Sequence, residues 1–282
     1  MPGGAGSSLT QASDEWSPAV RAVVLGATEG AAAEARVAFF SAATRGEPPG
    51  DGPEDLALAR LVMRAFGHLS AEALARRLPS LKVDAASRVR AEHAAARGMR
   101  VGSGEVETGA VEPSHVGFFA VDVHRLRHRR FDGGVSPWLT REVFVVGDAV
   151  TVLPYDPVRD RVLLIEQVRM GPIGRGDPLP WQLEAIAGRI DPGETPEAAA
   201  RREAVEEAGL VLGALEKVAE YYPTPGAVAE YLYSYVALCD LPDGVAGIFG
   251  AEEEAEDIKG HLVPFDRLVA VMAAGEIANA PL

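Results

Sequence analysis

The spacing of apolar residues divides the chain into two parts that meet near residue 100. In the first part, apolar side chains recur every three or four residues, which predicts a helix, at Leu58, Leu61, Val62, Phe66 and Leu69. Ser70 is placed to cap a further helix, and an alanine- and arginine-rich helix is expected over Ala85–Arg97. Nearer the N-terminus, Ala19–Leu25 favours a strand followed by a helix, and Arg45–Pro53 has the proline and glycine of a loop. Residues 18–100 are therefore predicted to form a small, mainly helical segment.

From about residue 101 the pattern changes to β-favouring runs. Six runs are predicted as strands: Val116–Val123, Arg141–Val146, Ala149–Pro154, Val162–Gln167, Tyr231–Leu238 and Lys259–Val263. The segment Tyr155–Asp160 suits a hairpin connection, and helices are expected at Pro196–Ala208 and Phe265–Ala274. Because strands outnumber helices and are mostly joined by turns or long loops, the predicted class is α+β rather than repeated βαβ units.

The helix predicted at Pro196–Ala208 has a start and a stop signal. Thr195 suits the N-cap, Pro196 the first helical position, and Gly209 the residue just past the end. At about 100° per residue, Glu203, Glu206 and Glu207 fall within an arc of about 100°.

Three carboxylates on one helical face repel each other, and two interpretations remain open. The face is either a solvated acidic surface or a site for a divalent cation, which would remove the repulsion. Hard oxygen ligands with no histidine nearby favour Mg²⁺ or Mn²⁺ over Zn²⁺.

Composition narrows the class of protein. The 282 residues carry 41 acidic and 27 basic side chains, a net charge of −14, which argues against a nucleic-acid-binding surface. No apolar run is long enough for a transmembrane helix, and the N-terminus lacks a signal-peptide pattern. Cys239 is the single cysteine, which excludes a disulfide within the chain and fits a reducing cytoplasm. Residues 1–17 are polar and small, and are expected to be a disordered tail.

The stretch Gly188–Leu210 resembles the Nudix box. Its fixed positions are, in order, Gly188, Glu194, Arg202, Glu203, Glu206, Glu207 and Gly209, followed by the aliphatic Leu210. From about Val116 to the C-terminus the chain also resembles bacterial ADP-ribose pyrophosphatases, in stretches such as LPYDPVRDRVLLIEQVRMG and PWQLEAIAGRIDPGE. The resemblance implies a Nudix α/β/α sandwich with a mixed sheet over residues 101–282, preceded by a helical segment of unknown role.

The box residues take their expected roles from this resemblance. Glu203 and Glu207 would be metal ligands, together with the carbonyl oxygen of Ala187 just before the box glycine. Glu206 would contact a further metal ion or its water. Arg202 would serve catalysis by orienting the loop through an ion pair with Glu194.

The acidic stretch Glu252–Asp257 is the expected source of the remaining catalytic groups. By resemblance, Glu254 aligns with the catalytic base and Glu256 with another metal ligand. A solvated acidic loop is the alternative, and the neighbouring glutamates leave the choice of base within residues 252–257 open.

The substrate contacts also follow from the resemblance. The candidates are Phe118, Arg141, Arg169, Pro225 and Glu230. Arginine suits a diphosphate because its planar fork pairs with two oxygens. Arg141 would reach the site of a second subunit, so we expect a homodimer with swapped N-terminal strands from residues 101–146.

The function implied is metal-dependent hydrolysis of ADP-ribose to AMP and ribose 5-phosphate, with Mg²⁺ and with Mn²⁺ as a possible substitute. Two alternatives stay open. One is hydrolysis of another nucleoside-diphosphate sugar, and the other is a regulatory module that senses ADP-ribose without cutting it. The expected partner is a small nucleotide substrate, with no nucleic acid and no membrane.

Overall fold

The structure is a computed structural model, and it describes residues 13–92, 105–250 and 256–282. The chain divides into two compact units. The first unit is Met1–Gly147 with Gly226–Ala229, and the second is Asp148–Pro225 with Glu230–Leu282. In the described part of the chain, no helix combines the length and apolar character needed to cross a membrane.

Helices occupy the N-terminal part of the first unit, as the sequence predicts. A short 3-10 helix at Ser13–Glu15 precedes five α-helices: α1 Pro18–Leu25, α2 Gly30–Ala43, α3 Pro53–Arg64, α4 Ala71–Arg76 and α5 Leu78–Glu92. They share one apolar core, which includes Val24, Phe40, Val62, Leu74 and Leu81. Ser70 caps α4 as expected, because its Oγ accepts a hydrogen bond from the Ala73 amide at 3.2 Å.

The strand predicted over Ala19–Leu25 is wrong, because this segment is helix α1. Ser17 begins the helix by accepting a hydrogen bond on Oγ from the Val20 amide at 3.3 Å, and Pro18 has the fixed φ of a first helical position. Val20 and Val24 are both fully buried. Their four-residue spacing puts them on one helical face, and burial of that face outweighs the weak β preference of valine.

After the helices, the described part of the first unit contains the strands β1 Val106–Val116 and β2 Ala120–His128 and the first part of β3, which spans Leu139–Asp156. They form an antiparallel meander in which His115 pairs with Val121 and His124 with Arg141. The two predicted runs around Arg141–Val146 and Ala149–Pro154 are thus one strand. Gly147 lies between them with φ 98°, and a Cβ there would come within 2.9 Å of Val83.

Within the described residues, the second unit contains the rest of β3, seven further strands, of which β8 begins in the first unit, and three helices. The strands are β4 Arg161–Val168, β5 Trp181–Glu184, β6 Ile186–Arg189, β7 Leu215–Tyr221, β8 Val228–Leu238, β9 Ile248–Phe249 and β10 Ile258–Pro264. The helices are α6 Met170–Arg175, α7 Pro196–Ala208 and α8 Phe265–Ala273. Strands β3 and β4 form the predicted hairpin, with Tyr155 opposite Val162, and β6 pairs with β3 so that Ala187 lies opposite Thr151.

The second unit is an α/β/α sandwich, which confirms the predicted fold. The apolar run of strand β4 is continuous because successive side chains point to opposite faces of the sheet and both faces are covered. Leu163 and Ile165 belong to the core that contains the alanines of α7, whereas Val162 and Leu164 pack with Leu268 of α8. The class is α+β, with α7 on one face of the sheet and α8 on the other.

Candidate metal centre

Helix α7 presents the acidic side chains, and it has the bounds that the sequence predicts. Thr195 caps its N-terminus, with Oγ1 accepting from the Ala198 amide at 3.2 Å. Gly209 ends it in the left-handed conformation, with φ 63°. The alanines Ala199, Ala200 and Ala204 are fully buried against the sheet. Small side chains on this face let the helix lie close to β6, where the box begins.

Arg202 holds together the carboxylates at the entrance of the centre. Its Nε and Nη2 donate to both oxygens of Glu194, at 2.9 and 3.0 Å. Its Nη1 donates to Glu203 at 2.7 Å and to Glu206 at 3.0 Å, and Nη2 also reaches the Arg189 carbonyl at 2.9 Å. The hydrogen bonds to Glu194, followed by the charge of Glu203, raise the pKa of the Arg202 guanidinium above its ordinary value. The expected ion pair between Arg202 and Glu194 is present in the structure.

We expect Arg202→Lys to lower kcat by about tenfold or more, because a lysine has no planar fork and cannot contact Glu194, Glu203 and Glu206 together. Arg201→Lys is the matched control. Arg201 points elsewhere and donates to the carbonyls of Leu212 and Gly213 at 2.6 and 2.9 Å. Steady-state kinetics on both variants checks this prediction. Equal losses in the two variants would show that Arg202 acts only through helix stability.

Glu207 and Glu203 are the least exposed box carboxylates of the centre, Glu207 being buried and Glu203 partly buried, with 12% of its side chain exposed. Glu207 is 3% exposed, and its oxygens accept from the Ala187 amide at 3.0 Å and from Gln167 Nε2 at 3.4 Å. Burial raises the pKa of Glu207 to about 8 and that of Glu203 to about 7, and the negative charge of Glu256 adds to both shifts. Two carboxylates that resist ionisation together are stabilised by a nearby cation.

Gly188 makes room for Glu203. A Cβ atom built on Gly188 would overlap the carboxylate of Glu203, so any side chain at this position would force Glu203 or the strand to shift. The glycine lies on β6 one residue after Ala187, whose amide already binds Glu207. The box glycine therefore allows the two carboxylates and the Ala187 backbone to come together.

Of the two predicted residues in the acidic stretch, the structure describes one. Glu254 lies outside the described residues, as do its neighbours 251–255. Glu256 is half-buried, and its charge acts on both Glu203 and Glu207. This coupling is what its predicted role as a metal ligand requires, and the role itself stays a prediction.

Sequence reasoning missed Gln167 and Glu184. Glu184 lies on β5 and accepts a hydrogen bond from Nε of Arg169 at 2.8 Å, with Nη2 2.7 Å from the same oxygen in an ion pair, and burial raises the pKa of Glu184 above its ordinary value. The positive charge of Arg169 partly opposes the rise in the pKa of Glu207 that burial causes. Arg169 and Glu184 therefore belong to the surroundings of the centre. Neither residue is in the box, and strand pairing rather than sequence spacing brings them there: Glu184 lies opposite Ile165.

The other predicted substrate residues lie in several places. Phe118 and Arg141 belong to the first unit, where Phe118 is 65% exposed and stacks edge-on against Phe119. Arg141 is exposed on β3. Pro225 is exposed in the connection between β7 and β8, and Glu230 is half-buried on β8, where burial raises its pKa above the usual range. Their roles as substrate contacts stay predictions.

The donor set fits a hard divalent cation. Within the described ranges, no group of three or more histidine, cysteine, aspartate or glutamate side chains is arranged so that it could hold a metal ion. Arg202 donates to Glu203, and the Ala187 amide donates to Glu207. The fit comes from the chemistry of the groups: oxygen donors only, raised pKa values and mutual repulsion. A bound cation would take the place of these hydrogen bonds.

Comparison with known proteins agrees with the geometry. The NUDIX domain profile matches residues 146–281. An ADP-ribose pyrophosphatase of Escherichia coli (strain K12) is 41% identical over 179 residues, which cover 64% of this chain and 85% of that protein. An ADP-ribose pyrophosphatase of Haemophilus influenzae is 36% identical over 177 residues, covering 62% and 81% of the two chains. A GDP-mannose pyrophosphatase of Yersinia enterocolitica is 35% identical over 148 residues, covering 52% and 76%.

The box is complete and lies on a well-capped helix of an α/β/α sandwich, and its buried Glu207 meets the backbone of β6. The identity to relatives extends well beyond the box, over most of their length. The chain belongs to the Nudix hydrolase family.

Proposed function

We propose that the protein hydrolyses the diphosphate bond of ADP-ribose to give AMP and ribose 5-phosphate. The observation that carries the proposal is a pair of glutamates in a complete Nudix box: Glu207 is buried and bound to the Ala187 amide, and the partly buried Glu203 lies against Gly188. The relatives named above, with identities of 41% and 36%, are ADP-ribose pyrophosphatases and support the choice of substrate.

The proposed cation is Mg²⁺, with Mn²⁺ as a substitute, because the donors are carboxylate and carbonyl oxygens. Glu203, Glu207, Glu256 and the Ala187 carbonyl would hold it, and Glu206 would hold a further ion or its water. When bound, divalent cations neutralise the charge that develops on the diphosphate and activate water. Arg202 keeps Glu203 and Glu206 in position while this happens, through its hydrogen bonds of 2.7 and 3.0 Å.

The base that takes the proton from the attacking water is proposed to be Glu254. Glu206 is the alternative candidate, and it lies within the described residues. Its carboxylate is 44% exposed and can reach solvent, whereas Glu207 is enclosed. Arg169 is proposed to contact the diphosphate, since it already lies within the electrostatic reach of Glu207. A guanidinium there pairs with two phosphate oxygens at once.

The assembly and the remaining substrate contacts form part of the proposal. A homodimer in which the N-terminal strands of residues 101–146 are exchanged would bring Phe118 and Arg141 to the substrate of the partner. The exposure of the Phe118 ring supports it, because an aromatic ring that is 65% exposed is available for stacking on a base or for burial between subunits. Pro225 and Glu230 are proposed as contacts in the same site. The cytoplasm is the proposed compartment, on the ground of the single cysteine.

A second substrate class has its own support. GDP-mannose pyrophosphatases share 35% identity with this chain over 148 residues. A nucleoside-diphosphate sugar other than ADP-ribose is therefore the alternative substrate, and it would use the same carboxylates. A module that only senses ADP-ribose is disfavoured because its box would not need every carboxylate that this one keeps.

We expect ADP-ribose with Mg²⁺ to give AMP, and Glu206→Gln to reduce kcat by about 100-fold or more, since the amide loses the charge that a metal or its water requires. The experiment compares both proteins on ADP-ribose, GDP-mannose, a dinucleotide polyphosphate and a nucleoside triphosphate, with product identification by chromatography. Glu216→Gln serves as control, because Glu216 is an exposed glutamate on β7 that is not part of the box.

Each result has a separate meaning. Faster hydrolysis of GDP-mannose would select the second substrate class. Preference for a triphosphate or a dinucleotide would overturn the substrate assignment. Full activity in Glu206→Gln would contradict the proposed role of that carboxylate, and binding of ADP-ribose without turnover would leave the sensing module as the answer.

A further inference from the structure

A cleft in the helical segment of the first unit collects three arginines. It lies along helices α3 and α5, has a volume of about 390 Å³, and is lined by Ala57, Arg60, Arg64, Arg88, Ala91 and Glu92. We call it the arginine cleft. All of these residues belong to the first unit, outside the segment matched by the NUDIX profile, so the family function does not account for the cleft.

The charges in the arginine cleft are incompletely balanced. Asp122 on β2 lies 3.2 Å from Nη1 of Arg64 and 4.0 Å from Nη2 of Arg88, so one carboxylate serves two guanidiniums. The side chain of Arg60 has no ion pair or hydrogen bond within the described part of the chain. Glu92 is exposed at the edge of the cleft. The cleft lining thus holds three arginines and one exposed glutamate, and the one buried carboxylate near them, Asp122, pairs with only two of the arginines, in a protein whose net charge is −14.

The crowding of the arginines has an electrostatic cost. Burial, followed by the charge of Arg88, lowers the pKa of the Arg64 guanidinium below its ordinary value. Asp122 opposes this shift without cancelling it. An anion inside the cleft would relieve the repulsion between Arg64 and Arg88, and it would give Arg60 a partner.

A purely structural explanation covers part of these observations. Asp122 bound to Arg64 and Arg88 joins α3 and α5 to β2 and helps to fix the helices on the meander. This explanation needs neither Arg60 nor an open volume of about 390 Å³. The volume falls within the roughly 300–1,000 Å³ that small-molecule sites occupy.

We propose that the arginine cleft is a binding site for a small phosphate-bearing anion, held by the guanidiniums of Arg60, Arg64 and Arg88. Planar guanidiniums pair with phosphate oxygens two at a time, which makes arginine suited to this ligand class. The lining residues that the structure describes include no aromatic ring, so the site would recognise the phosphate rather than a base. The source of the phosphate is either inorganic phosphate or a sugar phosphate.

The test is calorimetric titration of the full chain with inorganic phosphate and, separately, with ribose 5-phosphate, at fixed ionic strength and with EDTA to remove divalent ions from the metal centre. We expect saturable binding of at least one probe, weakened about tenfold by Arg60→Gln, which corresponds to about 1.4 kcal/mol. Arg76→Gln is the matched control, because Arg76 is exposed on α4 and does not line the cleft. Tighter binding of ribose 5-phosphate would identify a sugar phosphate as the source.

Other outcomes would overturn the proposal. The absence of saturable binding of both probes would do so, as would an equal loss in Arg60→Gln and Arg76→Gln, which indicates non-specific attraction. Loss of binding in Glu203→Gln but not in Arg60→Gln would place the anion at the metal centre instead. Arg60 is exposed and has no ion pair or hydrogen bond among the described residues, so its variant is expected to fold, and circular dichroism verifies this.

Discussion

Replacing Gly188 by alanine is expected to reduce kcat about 100-fold while the protein stays folded. The added Cβ would overlap the carboxylate of Glu203, so either this side chain or strand β6 must shift. A displacement of about 1 Å at a catalytic group costs roughly 100-fold in rate. The shift would also disturb the neighbouring Ala187, whose amide donates to Glu207 at 3.0 Å. Steady-state kinetics and thermal unfolding, measured on the same sample, check both parts of the prediction.

Gly174→Ala provides the matched control for this experiment. Gly174 lies in helix α6, and a Cβ there would have nothing within 4 Å. The same chemical change is therefore expected to leave kcat within about twofold, since a helical alanine is if anything favourable. Normal activity in Gly188→Ala would mean that Glu203 can move away at no cost, and the close approach would then have no catalytic role.

The local structure of the box was largely predictable because its residues are close together in the sequence. Gly188, Glu194 and the glutamates of α7 fall within one short segment, so helix periodicity and capping rules place them without knowledge of the fold. The Thr195 cap and the Gly209 terminus are both present at the expected positions. Interactions between residues close in the sequence determine the structure of such a segment, and these interactions can be inferred from a single sequence.

The contributions of distant segments could not be predicted from spacing. Gln167 and Glu207 are 40 residues apart, and Arg169 and Glu184 meet only because β4 pairs with β5. The arginine cleft depends in the same way on Asp122, which is 58 residues from Arg64. Strand register places these side chains, and register follows from the packing of the whole sheet. The strand wrongly predicted over Ala19–Leu25 has the same origin, because tertiary burial on one face selects the helix.

The buried ion pair of Arg77 and Asp84 is expected to be the most sensitive point for the stability of the first unit. Arg77 Nη2 lies 3.0 Å from Asp84 Oδ2, and the two side chains are only 6% and 5% exposed. Asp84→Asn removes the negative charge and leaves a buried guanidinium without a counterion. Breaking such a pair costs about 3–5 kcal/mol. Urea denaturation followed by circular dichroism measures the loss as a lower midpoint of the helical transition.

An exposed ion pair that involves the same helix serves as the control, because it tests charge pairing without burial. Lys82 lies two residues before Asp84 on α5 and binds Glu47 at 2.6 Å, with both side chains well exposed. Lys82→Gln is expected to cost less than about 1 kcal/mol, because water screens an exposed pair. The cavity next to Asp84 has a volume of about 30 Å³, room for only one or two waters, so solvent cannot replace the lost carboxylate.

The double variant Arg77→Met, Asp84→Leu decides whether the pair itself or its desolvation sets the stability. Removing both charges abolishes the uncompensated guanidinium, and apolar groups of similar volume in place of a buried pair are often neutral or stabilising. We therefore expect the double variant to recover most of the stability that Asp84→Asn loses. If the double variant were as unstable as the single one, the hydrogen-bond geometry of the pair, rather than burial of a lone charge, would be what holds α5 in place.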